Sequence, residues 1–351
     1  MKITIIARMD LTGLGNQSRN WVRLLNPNKI ILIDSTPFNG NEQHPEWYEG
    51  YDTWRVNGFI QDHMIDRLLD DTDILLTFET PYSYKLIARA RSRGIKTVIQ
   101  NNWEFTDYLQ SPLLPMPDLL VNHSYWHLDD QEARWPDITE YCPTPLFADG
   151  FNDVYLTNLK REGKVRFLHV AGRNTYEDRN GTNDVLKAIS LIPKNIDFEL
   201  VIKTQTTEVD EIDDPRVVID RSSPDDEREL YRDFDAMILP RRYGGACLPA
   251  AEALMSGLPV IMTDIDPNKI ILPGFWLVGA TKKTEFMART MIDVYESDLS
   301  DLAGRISQLA IASPALLYGY KILARETAMR EYSDESVLEK WSLFTKKLGV
   351  Q

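Results

Sequence analysis

The sequence is short of cysteine: its 351 residues contain only two, Cys142 and Cys247. A chain this long gains little from so sparse a disulfide framework, and the scarcity predicts a reducing compartment. Histidine is scarce too, with five residues, and neither set shows the spacing of a local zinc site. Basic charge is in deficit, 39 Lys and Arg against 53 Asp and Glu, for a net charge of −14. Such a field repels polyanions, so charge alone predicts no binding to bulk DNA, RNA or anionic membrane. No run approaches the roughly 18 apolar residues of a membrane-spanning helix. The apolar start, Ile3 to Ala7, is too short for a signal-peptide core. A cytosolic protein without integral membrane contact is therefore predicted. There is no short-period repeat, which excludes solenoids and propellers.

What is present is the composition of an ordinary folded protein, 43% hydrophobic and 26% charged. At roughly 150 residues per domain the length favours two domains. Short β-branched runs alternate with amphipathic stretches: Ile3 to Ala7, a helix over Asn16 to Leu25, Lys29 to Ile33, Ile74 to Phe78, a helix over Tyr82 to Arg93, Lys96 to Gln100 and Leu119 to Asn122. That alternation predicts βαβ units around a parallel sheet. The turn-rich stretch from Cys142 to Asn152 reads as a linker. A second series follows: strands over Val165 to Val170, Phe198 to Lys203, Val217 to Asp220, Ala236 to Leu239 and Pro259 to Thr263, with helices over Thr182 to Leu191, Glu227 to Phe234 and Pro249 to Ser256. After Thr281 the pattern predicts helix to the end, with Ser333 to Ser336 capping a last helix through Leu348. The fold class is α/β, with two Rossmann-like parallel-sheet domains and a cleft between them as the natural ligand site.

Three segments carry candidate chemistry. Thr12-Gly13-Leu14-Gly15-Asn16-Gln17-Ser18 joins the first strand to its helix, and glycines there let backbone N–H groups approach an anion or a sugar hydroxyl. It lacks Gly-Lys-Ser/Thr, and Ser18 stands where a dinucleotide fingerprint has its third glycine. A plain strand-to-helix turn needs the same glycines. The second segment, Val170-Ala171-Gly172-Arg173 followed by Asn180-Gly181-Thr182, puts a cation at the carboxyl edge of a sheet, where a diphosphate would suit it. The third runs from Leu239-Pro240-Arg241-Arg242-Tyr243-Gly244-Gly245-Ala246-Cys247-Leu248-Pro249 into Ala250-Ala251-Glu252-Ala253-Leu254. A carboxylate among small apolar residues is costly to bury unless it accepts hydrogen bonds, and the vicinal diol of a ribose supplies two.

This third stretch resembles the signature of the large retaining nucleotide-sugar glycosyltransferases of the GT-B fold, Glu-Gly-Phe-Gly-Leu-Pro-x-x-Glu-Ala followed by Gly-x-Pro-Val-Ile. The matching residues are Gly245, Leu248, Pro249, Glu252, Ala253, Gly257, Pro259, Val260 and Ile261. The Gly-Arg and Arg-Lys-Gly-Thr elements are similar to Arg173 and Asn180-Gly181-Thr182. The resemblance implies an N-terminal acceptor-side domain over 1–152, a donor domain over 153–330 and a C-terminal helix over 331–351 that crosses back to the first domain.

By that resemblance Glu252 binds the donor ribose, and Gly244, Gly245, Ala246, Cys247 and Leu248 present backbone N–H groups to the diphosphate or the transferred sugar. Arg173 neutralises the leaving phosphate. Arg221, Ser222 and Ser223 hold the base, while Gly13, Gly15 and Asn16 face the diphosphate from the first domain. His123 meets the donor sugar. Glu104, after the Lys96 to Gln100 strand, is a candidate base or acceptor ligand, with Glu79 in the equivalent place one strand earlier. Two residues depart from the pattern. Gly244 replaces the first signature glutamate and Asn180 replaces a lysine. Arg241, Arg242 and Lys203 are candidates to restore the lost charge. Asp264-Ile265-Asp266 is read as solvated, and no metal or other cofactor is implied.

The function implied is transfer of a sugar from a nucleoside diphosphate, UDP first, to a glycan, a small molecule or a modified DNA base. A sugar-nucleotide-binding protein without catalysis and a nucleotide-sugar epimerase of the same fold are the alternatives.

Overall fold

The structure is a computed structural model that describes residues 1–172, 176–204, 208–209, 213–222, 224 and 226–350. The chain divides into two units. The first comprises Met1–Pro145, Met287–Thr290 and Asp334–Gln351; the second comprises Leu146–Phe286 and Met291–Ser333.

The first unit is built on a wholly parallel sheet of β1 (Ile3–Arg8), β2 (Lys29–Asp34), β3 (Thr53–Asn57), β4 (Ile74–Phe78), β5 (Lys96–Asn101), β6 (Leu119–Asn122) and β7 (Thr139–Tyr141). Its strand order is β3-β2-β1-β4-β5-β6-β7. Side chains on a strand alternate between faces, so Ile5, Ile30 and Leu32 fill one core while Ile6, Ile31 and Ile33 fill the other. Burial on both faces is why these strands read as unbroken apolar runs. The first core is completed by the last helix, Asp334–Lys347, which lays Val337, Trp341 and Phe344 beside Trp21. The Trp21 and Trp341 ring centroids lie 5.6 Å apart, edge to face.

The second unit repeats the plan with β8 (Arg166–Gly172), β9 (Glu199–Thr204), β10 (Val217–Asp220), β11 (Ala236–Ile238), β12 (Val260–Thr263) and β13 (Leu277–Val278), ordered β10-β9-β8-β11-β12-β13 and again parallel. Phe167 faces one core and Leu168 the other. The helices Leu299–Ala310 and Pro314–Tyr332 seal these cores through Leu302, Ile306, Ala324 and Ala328. The predicted α/β class with two Rossmann-like sheets is what the chain adopts.

Two predicted elements differ. Residues after Thr281 do not start as helix: β14 (Ala280–Met287) and β15 (Met291–Ser297) form a two-stranded sheet. In β15 the buried positions are Ile292, Val294 and Ser297, and the Ile292–Val294 spacing is the strand period of two. The helix over Glu227 to Phe234 is only a 3-10 turn, Glu227–Tyr231, and Asp233 just beyond it takes the left-handed conformation at φ 64°. The strands β3, β7 and β13 are additions to the predicted set. No helix of the described residues is long and apolar enough to cross a membrane.

In each sheet the strand order reverses once, between β1 and β4 and between β8 and β11. Ligands of open α/β sheets bind at such switch points, outside the carboxyl ends of the strands. The loops of interest leave those ends.

Candidate active site

In the second unit, β11 runs into Leu239 to Cys247 and then into the helix Leu248–Met255, which has proline in its first turn. The loop is held from below by two buried arginines. Arg241 donates from Nε to the Tyr243 carbonyl at 3.0 Å and from Nη1 to the Ala246 carbonyl at 3.2 Å. Thr263 in turn hydrogen-bonds the Arg241 carbonyl. Arg242 pairs with Asp184 at 2.5 Å and donates to the Glu177 carbonyl at 3.2 Å. With its carbonyls drawn to Arg241, the loop leaves the backbone N–H groups of Gly245, Ala246, Cys247 and Leu248 without an acceptor among the described residues. These donors, at the positive end of a helix, form a cradle for an anion.

Glycines make the geometry possible at two points. A Cβ on Gly181, at φ 70°, would lie 2.4 Å from the Pro240 carbonyl oxygen, so the start of the helix Thr182–Leu191 passes directly against the loop. Gly244, at φ 103°, has the Arg179 guanidinium where a side chain would emerge.

Glu252 stands one turn into the Leu248–Met255 helix, half-buried, with Ala250, Ala251, Ala253 and Leu254 packed into the core around it. Its Oε2 accepts the Tyr231 hydroxyl at 2.6 Å, the short distance of a charge-assisted bond. Tyr231 is fully buried, and burial together with the Glu252 charge pushes its hydroxyl well above the usual phenol range. The phenol therefore stays protonated and fixes one carboxylate oxygen. Tyr231 escaped the sequence reading because the residues around it were read as a longer helix.

The flanking candidates are held in local networks. Lys203 at the end of β9 pairs with Asp220 at 2.5 Å and with the Ser222 hydroxyl at 3.2 Å, while the Ser222 N–H donates to Asp220. The Lys203 bond, before the Ser222 contacts, holds the Asp220 carboxyl at about 2. Arg221 and Ser222 are exposed beyond β10. Asn180 gives its side-chain amide to the carbonyls of Val170 and Ala171, clasping the end of β8. Of the residues expected to restore the missing lysine charge, Arg242 is paired with Asp184 and Lys203 with Asp220. Arg173 and Ser223 lie outside the described residues. Asp264 and Asp266 belong to no metal-binding group among the described residues.

In the first unit, the Thr12 hydroxyl caps the helix Gly13–Leu25 by accepting the Gly15 N–H at 3.1 Å. A Cβ on Gly15 would stand 1.9 Å from the Asp10 carbonyl oxygen, so only glycine fits. Gly13 has open space where a side chain would project, and Asn16 continues the first turn by donating its N–H to the Thr12 carbonyl. Asp10, missed in the sequence, braces this turn. Its buried carboxylate receives Arg8 at 2.6 Å, Thr12 at 2.9 Å, Asn39 and Asn41 at 3.0 Å and Ser35 at 3.1 Å. Burial pushes the group up, but the bonds from Asn41 and Arg8 prevail and hold it at about 2.

His123, after β6, is buried with Nδ1 3.5 Å from Gln17, which bonds Gln100. Glu104 sits in the 3-10 turn Trp103–Phe105 beyond β5. Glu79, at the end of β4, adopts φ 61°, a conformation rare for a residue with a side chain. It accepts Asn102 at 3.0 Å, and burial followed by the charge of Glu104 raises its carboxyl to about 7, against the pull of Arg8 and Arg289. The aromatic residues near these loops are packing elements: Trp47, Tyr48 and Tyr51 join one core, Trp54 the other, and Tyr125 stacks on Tyr141 at 4.1 Å.

Residues 166–297 match the family of glycosyl transferases group 1. A curated relative, the poly(ribitol-phosphate) α-N-acetylglucosaminyltransferase of Staphylococcus aureus (strain COL), is 25% identical over 185 residues, 52% of this chain and 29% of that protein. The chain thus spans less than a third of the length of this relative. A glycosyltransferase from Rickettsia africae ESF-5 superposes with a TM-score of 0.68 at 14% identity, covering 99% of this chain and 98% of that one. The pneumococcal O-GlcNAc transferase GtfA, solved with UDP and GlcNAc, superposes with a TM-score of 0.61 at 12% identity over 82% and 60% of the two chains. The chain thus shares over its whole length the two-sheet fold of these glycosyltransferase structures, and the match to glycosyl transferases group 1 lies across its second sheet.

Proposed function

We propose that the protein is a glycosyltransferase that moves a sugar from a nucleoside diphosphate, UDP first, to a hydroxyl of an acceptor. The donor is assigned to the second unit, and Gly13, Gly15, Asn16, His123 and Glu104 of the first unit are assigned to the diphosphate, the transferred sugar and the acceptor. The observation that carries this reading is Glu252, held by the Tyr231 hydroxyl at 2.6 Å on a helix preceded by four acceptor-free N–H groups, Gly245 to Leu248. A carboxylate at this place suits a ribose diol, and the N–H groups suit the adjoining phosphates. In the reaction, the bond from the anomeric carbon to the diphosphate oxygen breaks and a bond to the acceptor oxygen forms. The acceptor proton is released, and the nucleoside diphosphate departs with the negative charge that Arg173 and the loop N–H groups stabilise.

The comparisons support the donor class: the S. aureus relative is named for N-acetylglucosamine transfer, and the pneumococcal structure contains UDP and GlcNAc. A glycan is the acceptor of first choice, with small molecules and modified DNA bases next. We place the reaction in the reducing cytosol, where both free cysteines, Cys142 and Cys247, persist.

The test is ligand-dependent thermal stability followed by donor turnover. UDP at 100 times its dissociation constant stabilises the fold by about 2.7 kcal/mol. Glu252→Ala weakens UDP binding about 10-fold to 100-fold through the loss of charged hydrogen bonds. Wild-type protein indifferent to UDP and to other nucleoside diphosphates overturns the reading. Binding without hydrolysis or transfer assigns the site to recognition alone, and isomerisation of the donor sugar assigns it to an epimerase.

A further inference from the structure

The backbone just beyond β4 is strained around a carboxyl group. Glu79, at φ 61°, is the centre of a three-residue turn that the Thr80 N–H closes on the Phe78 carbonyl at 2.6 Å. A turn of this size with positive φ at its centre is the rare, strained form. Its neighbours hold it there: the Thr77 hydroxyl donates to the Thr80 carbonyl at 2.7 Å, and the Glu79 N–H donates to the Gln100 carbonyl at 2.7 Å. Glycine would relieve the strain, yet a glutamate occupies the position. Strain maintained in this way points to a task for the side chain that it directs.

That side chain lies at the switch point of the first sheet, since Glu79 follows β4 and Arg8 ends β1, with Asn102 following the neighbouring β5. Asn102 donates from Nδ2 to Oε1 of Glu79 at 3.0 Å, and the carboxyl makes no other hydrogen bond among the described residues. Two buried polar atoms beside it are also unmatched among those residues. The Oδ1 of Asn102 meets no donor, and the Nε of Arg8, whose charge acts on Glu79, meets no acceptor. Such atoms are costly to leave unmade, and a hydroxyl serves both kinds because it donates one bond and accepts two.

The charges of the cluster are already met. Arg8 pairs with Asp10 at 2.6 Å, and Arg289, the other guanidinium whose charge acts on Glu79, pairs with Asp107. An anionic ligand gains little from either. Burial, followed by the Glu104 charge, raises the Glu79 carboxyl to about 7, so near neutrality it can donate a hydrogen bond as well as accept one. Hydroxyls of an uncharged polyol suit that combination.

We infer that Glu79, Asn102 and Arg8 form a subsite for hydroxyl groups of the acceptor, and that the acceptor entering it is an uncharged saccharide. The inference rests on the transfer reading above and adds three residues and the charge of the acceptor.

The experiment titrates the protein at pH 6 with the methyl β-glycosides of glucose, galactose and N-acetylglucosamine and with methyl β-glucuronide, by ligand-observed NMR, and measures UDP affinity on the same samples by calorimetry. Wild type binds at least one neutral glycoside, and binds the glucuronide more weakly than that one. Glu79→Gly suits the turn and keeps the fold, but lowers affinity for the glycoside about 10-fold through lost hydrogen bonds, with no matching fall for UDP. Glu79→Gln keeps a donor and an acceptor and binds within about 3-fold of wild type. Glu79→Gly that binds the glycoside as wild type does overturns the subsite, as does Glu79→Gln that falls equally far or a loss for UDP in step with the glycoside. A glucuronide bound more tightly than every neutral glycoside overturns the assigned charge. UDP binding without any neutral glycoside bound overturns the subsite and leaves the donor reading intact, whereas wild-type protein that binds neither overturns both.

Discussion

Replacing Glu79 by glutamine should change the pH dependence of stability in a direction fixed by the geometry of β4. The Glu79 carboxyl titrates at about 7 in the fold against an ordinary 4.5, raised by burial and by the neighbouring Glu104. The folded state therefore holds this proton more tightly than the unfolded chain does. Stability from this group is fully present below pH about 4.5 and is lost as pH rises through about 7. The difference amounts to about 3 kcal/mol between pH 4 and 8, as an upper limit for a half-buried group, at about 1.4 kcal/mol for each pH unit of displacement. Glutamine keeps an oxygen to accept the Asn102 amide and never ionises. Thermal melts of wild type and Glu79→Gln, taken from pH 4 to 8 at constant ionic strength, isolate the effect because other titrating groups cancel. The wild type should lose roughly 6–12 °C relative to the variant on moving from the acid to the alkaline end, for a unit of this size. Melting temperatures that run parallel across the range would refute the account of Glu79 as a carboxyl kept protonated by its site.

Two further substitutions probe the frames of the two loops. Gly15→Ala drives a methyl to 1.9 Å from the Asp10 carbonyl, a backbone atom that cannot yield, and should cost at least about 3 kcal/mol in urea unfolding. Asp184→Ala strands the Arg242 guanidinium in the interior and should cost about 3–5 kcal/mol. Adding Arg242→Met should recover much of that loss, and a double variant as unstable as the single would show that the buried charge is not the cause.

The βα alternation was legible because strands buried on both faces must be apolar throughout, and the helix Thr182–Leu191 and the strand Val217–Asp220 stand where the pattern puts them. The β14–β15 pair was not. Most of β14 is exposed, and its Lys282-Lys283-Thr284-Glu285 run carries no apolar alternation to separate strand from helix. At the site, Glu252 could be found because a carboxylate among alanines is conspicuous, whereas its partner Tyr231 lies 21 residues away in an unremarkable polar stretch. The fates of the arginines were hidden for the same reason. Arg242 meets Asp184 across 58 residues of sequence, and nothing local distinguishes it from Arg241, which turns to carbonyls instead.

The helix Asp334–Lys347 has a consequence for biosynthesis. Trp341 closes over Trp21 in a core whose other members are mostly made before residue 145 has left the ribosome. During translation the early sheet must wait, one hydrophobic side uncovered, while the whole second unit is synthesised and the final turns emerge. Nascent chains arrested before residue 334 would thus carry a finished strand order with an open flank, the kind of surface on which chaperones act.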